Sequence, residues 1–295
     1  MKYEPLVRRL LDKEYLYVNS DHLQKDIRII KEGRYSNIFI LGAENYKLNN
    51  VNWLAEIGET IESIIITPLA GISFSYSGLA FCGNLLNIRI NNEVDVPIDL
   101  SSNCKVKSLS LLKYRKVTGI NHIQSLQSLV LTRHIPSYFL TYDWISNFPN
   151  LKNLSLLGIN LSEGFGFLKG RNLKTLTIFN SRNISMEGIL NTTIKELDVD
   201  RCKNVKYQEN IFKLNSLISL KLIDSIFIDD ARRFLDLTNL KVLVVMGTSN
   251  IEKGNLSCLK GKLRHFGFDN KRHYDTKYEE FKENYLAENG SQIAT

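Results

Sequence analysis

An apolar-x-x-apolar-x-apolar hexad recurs along this chain at nearly constant spacing, and few folds accept such a pattern. It opens at Tyr35, Ile61, Leu85, Val106, Leu126, Leu151, Leu173, Ile194, Leu217, Leu240 and Leu263, with steps of 20 to 26 residues. The final apolar-x-apolar part has period two, which places its two apolar side chains on one face of a short strand. One such unit cannot bury that face alone. Stacked neighbours can, so the repeat predicts a parallel sheet over a continuous core, about 50 Å long at roughly 4.8 Å per strand.

With eleven hexads the sequence resembles the leucine-rich-repeat family, whose unit is L-x-x-L-x-L-x-x-N/C-x-L. The resemblance covers residues 35–271. It implies an α/β right-handed solenoid with a curved parallel sheet, about eleven irregular repeats of about 23 residues, and N- and C-terminal caps. One position departs from the family. The Asn/Cys slot holds Cys202 in one repeat, and elsewhere Ala43, Leu69, Glu93, Tyr114, His134, Ile159, Ser181, Ser225, Thr248 or Lys271. The turn hydrogen bonds of the regular Asn ladder must therefore come from other groups.

Residues 1–34 are expected to form the N-terminal cap, 35–271 the solenoid, and 272–295 a C-terminal capping helix, all within one structural domain. Leu16, Val18, Ile27, Ile29 and Ile30 read as a hairpin with turns at Asn19-Ser20-Asp21 and Glu32-Gly33. Thr276-Lys277-Tyr278-Glu279 has the form of a capping box before a face of Tyr278, Phe281, Tyr285 and Leu286, ended by Gly290.

That division leaves too few residues outside the repeats for a catalytic domain, and a non-enzymatic protein without cofactor or metal is expected. The five histidines have no metal-ligand spacing, and neither GxSxG nor HExxH occurs. Gly164-Phe165-Gly166 with Gly170 lacks a GKS/GKT ending and reads as a turn. Asp269, His273 and Cys258 could be drawn as a triad, but a role near the C-terminal end suits them better. The four cysteines form no CxxC pair, and the N-terminal stretch has no signal-like apolar core, so reduced thiols and a cytoplasmic location are expected. Residues 63–88 carry no charge, yet Pro68 and three glycines suit the repeat better than a membrane span.

Charge and outward strand positions point to a partner. The net charge of +7 is concentrated in residues 101–180, where ten Lys/Arg face Asp143 and Glu163 alone. A basic block suggests an acidic protein surface or a phosphate backbone. Lys107, Lys152, Lys174, Lys195 and Lys241, each after a hexad's first residue, also match ordinary family consensus. One step past the hexad stand Leu41, Leu112, Leu157, Phe179, Ile223 and Met246. These form either an apolar docking column or side chains that turn inward against the connectors. The candidate partner-binding residues are Leu112, Arg133, Leu157, Arg171, Lys174, Phe179, Ile223 and Met246, centred on Phe179 and Leu157 beside Lys174 and Arg171.

The tail Phe268-Asp269-Asn270-Lys271-Arg272-His273-Tyr274 is similar to that of small free-standing bacterial leucine-rich-repeat proteins of the immunity type. That resemblance implies a partner that is a toxin, blocked by occlusion of its active site, and here a toxin domain with an acidic cleft. A scaffold or adaptor of another pathway is the alternative. Nucleic acid ranks lower, through residues 101–180 with Tyr114, Tyr138, Tyr142 and Trp144 as stacking groups.

Overall fold

The computed structural model describes residues 3–10, 12–91, 96–112, 117–132 and 142–281. The chain divides into two compact units, residues 1–151 and 152–295.

In the first unit, β1 (Val7–Leu10) and β2 (Lys13–Tyr17) form an antiparallel hairpin. Parallel to β2 follow β3 (Asn37–Leu41), β4 (Ser63–Thr67), β5 (Asn87–Ile90), β6 (Ser108–Leu112) and β7 (Ser128–Thr132). The second unit repeats the arrangement with β8 (Asn153–Leu157), β9 (Thr175–Phe179), β10 (Glu196–Asp200), β11 (Ser219–Ile223), β12 (Val242–Met246) and β13 (His265–Phe268), all parallel and in chain order.

The hexads set this register. In the second unit Leu154, Leu176, Leu197, Leu220, Leu243 and Phe266 stand opposite one another strand by strand. Leu156, Ile178, Val199, Leu222, Val245 and Phe268 form a second row, and every member of both rows is buried. Each contributes about 1.5–3 kcal/mol on burial. The strands return through short 3₁₀ turns whose apolar residues, such as Leu168, Phe212 and Phe234, complete the core. The uncharged run 63–88 is the strand β4 and a 3₁₀ turn at Ser77–Phe81, and among the described residues no helix is long and apolar enough to cross a membrane.

The expected hairpin over residues 16–30 is corrected. Leu16 lies in β2, paired with the preceding strand β1, but Leu23–Lys31 is an α-helix, α1. Ile27 and Ile30 are buried on its inner face, whereas Ile29 is only half-buried. Leu23, Ile27 and Ile30 have the i, i+4, i+7 spacing of a helix, which outweighed the short alternation. Asp26 is buried in α1 and accepts from the Asn19 amide at 2.8 Å and from the Tyr3 hydroxyl; burial raises its carboxyl above the usual range.

The missing Asn ladder has a substitute. In the second unit each strand from β8 to β12 is followed by a residue at positive φ or by a glycine there: Gly158, Asn180, Arg201, Asp224 and Gly247. A Cβ on Gly247 would come within 2.1 Å of Asp224 Oδ1, so a side chain there would have to displace that carboxylate, and the positive φ favours glycine. Small polar side chains just beyond then bond the turns. Ser181 Oγ donates to the Phe179 carbonyl at 3.0 Å and accepts from the Ile159 amide at 3.1 Å. Cys202 Sγ donates to the Asp200 carbonyl at 3.2 Å. Ser225 Oγ donates to the Val199 carbonyl at 2.9 Å. Ser249 Oγ accepts from the Ser225 and Ile226 amides at 2.9 and 3.2 Å.

At the C-terminal end, Phe281 packs edge-on against Phe266 and Phe268 with ring centroids 5.1 and 6.0 Å apart. The expected capping box does not form. The Tyr278 amide donates to Asn270 Oδ1 at 2.8 Å, and the Thr276 hydroxyl donates to Glu280 at 3.1 Å. Tyr285, Leu286 and Gly290 lie outside the described residues.

Candidate functional site

Alternate residues of each strand face away from the core, and in the second unit these outward positions make three columns. The first holds Asn153, Thr175, Glu196, Ser219, Val242 and His265. The middle one holds Ser155, Thr177, Asp198, Lys221, Val244 and Gly267. At the strand ends Leu157, Phe179, Asp200, Ile223 and Met246 stand opposite one another.

Five of the eight residues expected to bind a partner therefore have definite places on this sheet or its edge. Leu157, Phe179, Ile223 and Met246 share one row, interrupted by Asp200. The first three are half-buried and Met246 is 38% exposed, while their strand neighbours inward are fully buried. Lys174 is exposed at the opposite end of β9, five residues from Phe179, or about 17 Å of extended chain. Arg171 is half-buried in the turn before it. The basic and apolar groups expected together are thus held apart by the length of a strand.

Leu112 belongs to the first unit, half-buried at the end of β6 opposite Thr132. Arg133 lies outside the described residues. Leu41, the other apolar residue at this position in the first unit, packs with Leu10 and Phe39 against Tyr15, Tyr17 and Ile65 in a cluster of its own.

Two features emerge from the fold. The first is a cationic edge, which lines up the lysines that follow the first residue of the hexads. Lys174 donates its amide to the Lys152 carbonyl, Lys195 to Lys174, Ile218 to Lys195, Lys241 to Ile218 and Arg264 to Lys241, at 2.7–2.9 Å. Lys152, Lys174, Lys195, Lys241 and Arg264 thus stand in line at strand spacing, all exposed. The second is an acidic strand. All three outward positions of β10 are carboxylates: Glu196, Asp198 and Asp200. Asp198 is held above the usual carboxylate range, first by burial, against the opposing pull of Lys221, with Asp200 adding repulsion. Arg201, in the left-handed turn after β10, places its guanidinium 5.5 Å from the centre of the Phe179 ring.

Asp269 accepts from the Gly247 amide at 2.6 Å, and His273 Nε2 lies 3.0 Å from the Ile251 carbonyl. The Cys258 thiol is pushed up, chiefly by burial. Gly164 sits at positive φ in a connector, and Phe165 beside it is fully buried. Among the described residues no three His, Cys, Asp or Glu side chains converge as metal ligands. Tyr142, an expected stacking group, is buried; Trp144 packs edge-on against Phe148 at 5.7 Å. Tyr114 and Tyr138 lie outside the described residues.

No family model and no curated protein matches this sequence. Solved structures do. An internalin (InlF) of Listeria monocytogenes is 16% identical, with TM-score 0.52, covering 78% of this chain and 66% of its own. The TLR13–ssRNA13 complex matches at 16% identity and TM-score 0.52, over 85% of this chain and 42% of that one. An LRR protein of Leptospira interrogans is 14% identical with TM-score 0.38, over 82% and 86% of the two chains. The chain spans less than two thirds of the length of the first two. At these identities the likeness concerns the fold, and the fold is that of leucine-rich-repeat proteins.

Proposed function

We propose that this chain is a non-enzymatic protein-binding module working in the cytoplasm, and that its partner is a toxin whose active site it occludes. The carrying observation is the row Leu157, Phe179, Ile223 and Met246, aligned in register on the outward face of the second unit. Apolar side chains left outside a well-filled core mark interaction surfaces. The cationic edge from Lys152 to Arg264 supports a partner with an acidic rim, since complementary charge steers docking. In the same reading residues 1–34 and 272–295 close the two ends of the repeats, which the packing of Phe281 on Phe266 supports.

The test is a pull-down from lysate of the source organism, repeated after nuclease treatment and at high salt. A single stoichiometric protein is expected to survive both and to be toxic when expressed alone. Leu157→Asp with Phe179→Asp should abolish its capture while the melting temperature stays unchanged. A non-toxic partner would make the chain a scaffold of another pathway. Nucleic acid as the sole ligand, lost with salt, would shift function to the cationic edge.

A further inference from the structure

On the reading that the outward face of the second unit seats a protein, we propose that the segment landing at its centre is basic, with apolar side chains flanking the basic ones. Two lines of side chains cross on this face. The apolar row runs across the strands from Leu157 to Met246, and the carboxylates Glu196, Asp198 and Asp200 run along β10. They meet at Asp200, between Phe179 and Ile223. Alternate residues of a strand are about 7 Å apart, so the three carboxylates span about 14 Å.

These charges are poorly compensated within the chain. Along the described strands β8 to β13, Lys221 is the one lysine or arginine at an outward position. Arg201 Nε is 3.9 Å from Asp200 Oδ1, at the outer limit for an ion pair, while its guanidinium is drawn over Phe179. Glu196 accepts from Thr175 Oγ1 at a long 3.3 Å. Asp198 Oδ1 and Asp200 Oδ1 are both buried without a hydrogen-bond partner. Burying an acceptor without a donor is costly, so both carboxylates are under-satisfied within the chain. Asp198 and Asp200 are each only partly buried, which leaves the rest of each carboxylate open to a partner's donors. Ammonium or guanidinium groups supply donors and charge together. Their aliphatic stems, and apolar neighbours, would cover Phe179 and Ile223.

The basic block in the sequence pointed to an acidic partner. The face itself is divided: cationic along the strand starts, anionic and apolar at β10 and the strand ends. A partner that fits it carries acidic groups at one rim and a basic, apolar segment about 17 Å away.

The experiment uses the full chain and two fluorescein-labelled decapeptides, one alternating lysine and leucine, the other glutamate and leucine. Fluorescence anisotropy at low salt should show the lysine peptide binding the wild type. Its affinity should fall by about tenfold or more in the variant E196Q/D198N/D200N, as expected for loss of close charge pairs. Circular dichroism checks folding, and Asp200→Asn alone gives a milder second variant with a smaller loss. Glutamate-peptide binding should survive both variants and fall when Lys174 and Lys195 become Gln. A lysine peptide that fails to bind the wild type, or binds the triple variant equally well, overturns the inference. Retained glutamate-peptide binding would then leave the protein-binding reading standing; loss of both, with no protein captured from lysate, would sink that reading too.

Discussion

Arg201 lays its guanidinium 5.5 Å from the centre of the Phe179 ring across the gap between two neighbouring strands. Arg201 adopts φ 51°, a left-handed conformation unfavourable for a residue with a Cβ. That turn directs the arginine back over the sheet. Phe179, half-buried, is thereby covered by a charged plane rather than left bare.

A double-mutant cycle of Arg201→Ala and Phe179→Leu should report a coupling of about 0.5–1 kcal/mol, the range for an exposed cation–π pair. Urea denaturation of the four proteins measures it. Additive effects would mean that the two side chains merely lie close.

The strands could be read from the sequence because each hexad confronts the same problem of burying two side chains, and each solves it the same way. Leu154 and Leu156 need no information from elsewhere to become a strand. The connectors could not be read so well, since in α1 the helical spacing of Leu23, Ile27 and Ile30 competes with a short alternation over the same few residues. The turn ladder was hidden for another reason. Ser181, Ser225 and Ser249 are ordinary residues whose hydrogen bonds appear only once the left-handed turns place them. At the candidate site the apolar column was visible residue by residue. Its relation to charge was not: Lys174 is close to Phe179 in sequence but lies at the far end of the strand, whereas Asp200 and Arg201, more than twenty residues on, lie beside it.

Asp198 carries a raised pKa in the folded chain, chiefly through burial. The fold therefore favours its neutral form, and that contribution is complete below the unfolded value of about 3.9 and lost as pH rises through the folded value. Asp198→Asn should consequently raise the melting temperature at pH 7, with the advantage over wild type shrinking as the pH is lowered toward about 4. Thermal unfolding followed at several pH values tests this, and an equal advantage at every pH would exclude ionisation as the cause.

Ser249 is fully buried and accepts from two backbone amides with one hydroxyl. Removing that oxygen strands the amides of Ser225 and Ile226 at once. Ser249→Ala should cost about 1–3 kcal/mol, the penalty for buried donors left unmet. Equilibrium denaturation gives the value, and amide exchange should quicken first at Ser225 and Ile226. Wild-type stability in the variant would show that the turns hold without the ladder.

Phe281 tests whether the C-terminal residues act as a cap. Its ring stands nearly perpendicular to those of Phe266 and Phe268, the two inward residues of the last strand. Phe266 and Phe268 have no further strand beyond β13 among the described residues to cover them, so the phenyl ring takes that place. Phe281→Ala should destabilise the chain by about 3 kcal/mol, as for other large aromatic truncations in a packed site. Phe281→Leu should recover more than half of that loss, because volume matters here more than ring geometry. In a stack of repeats damage at one end propagates through nearest neighbours, so hydrogen exchange should rise in β13 and β12 well before β8. Uniform exchange across β8 to β13 would mean that the unit unfolds as a whole and that Phe281 is simply one more core residue.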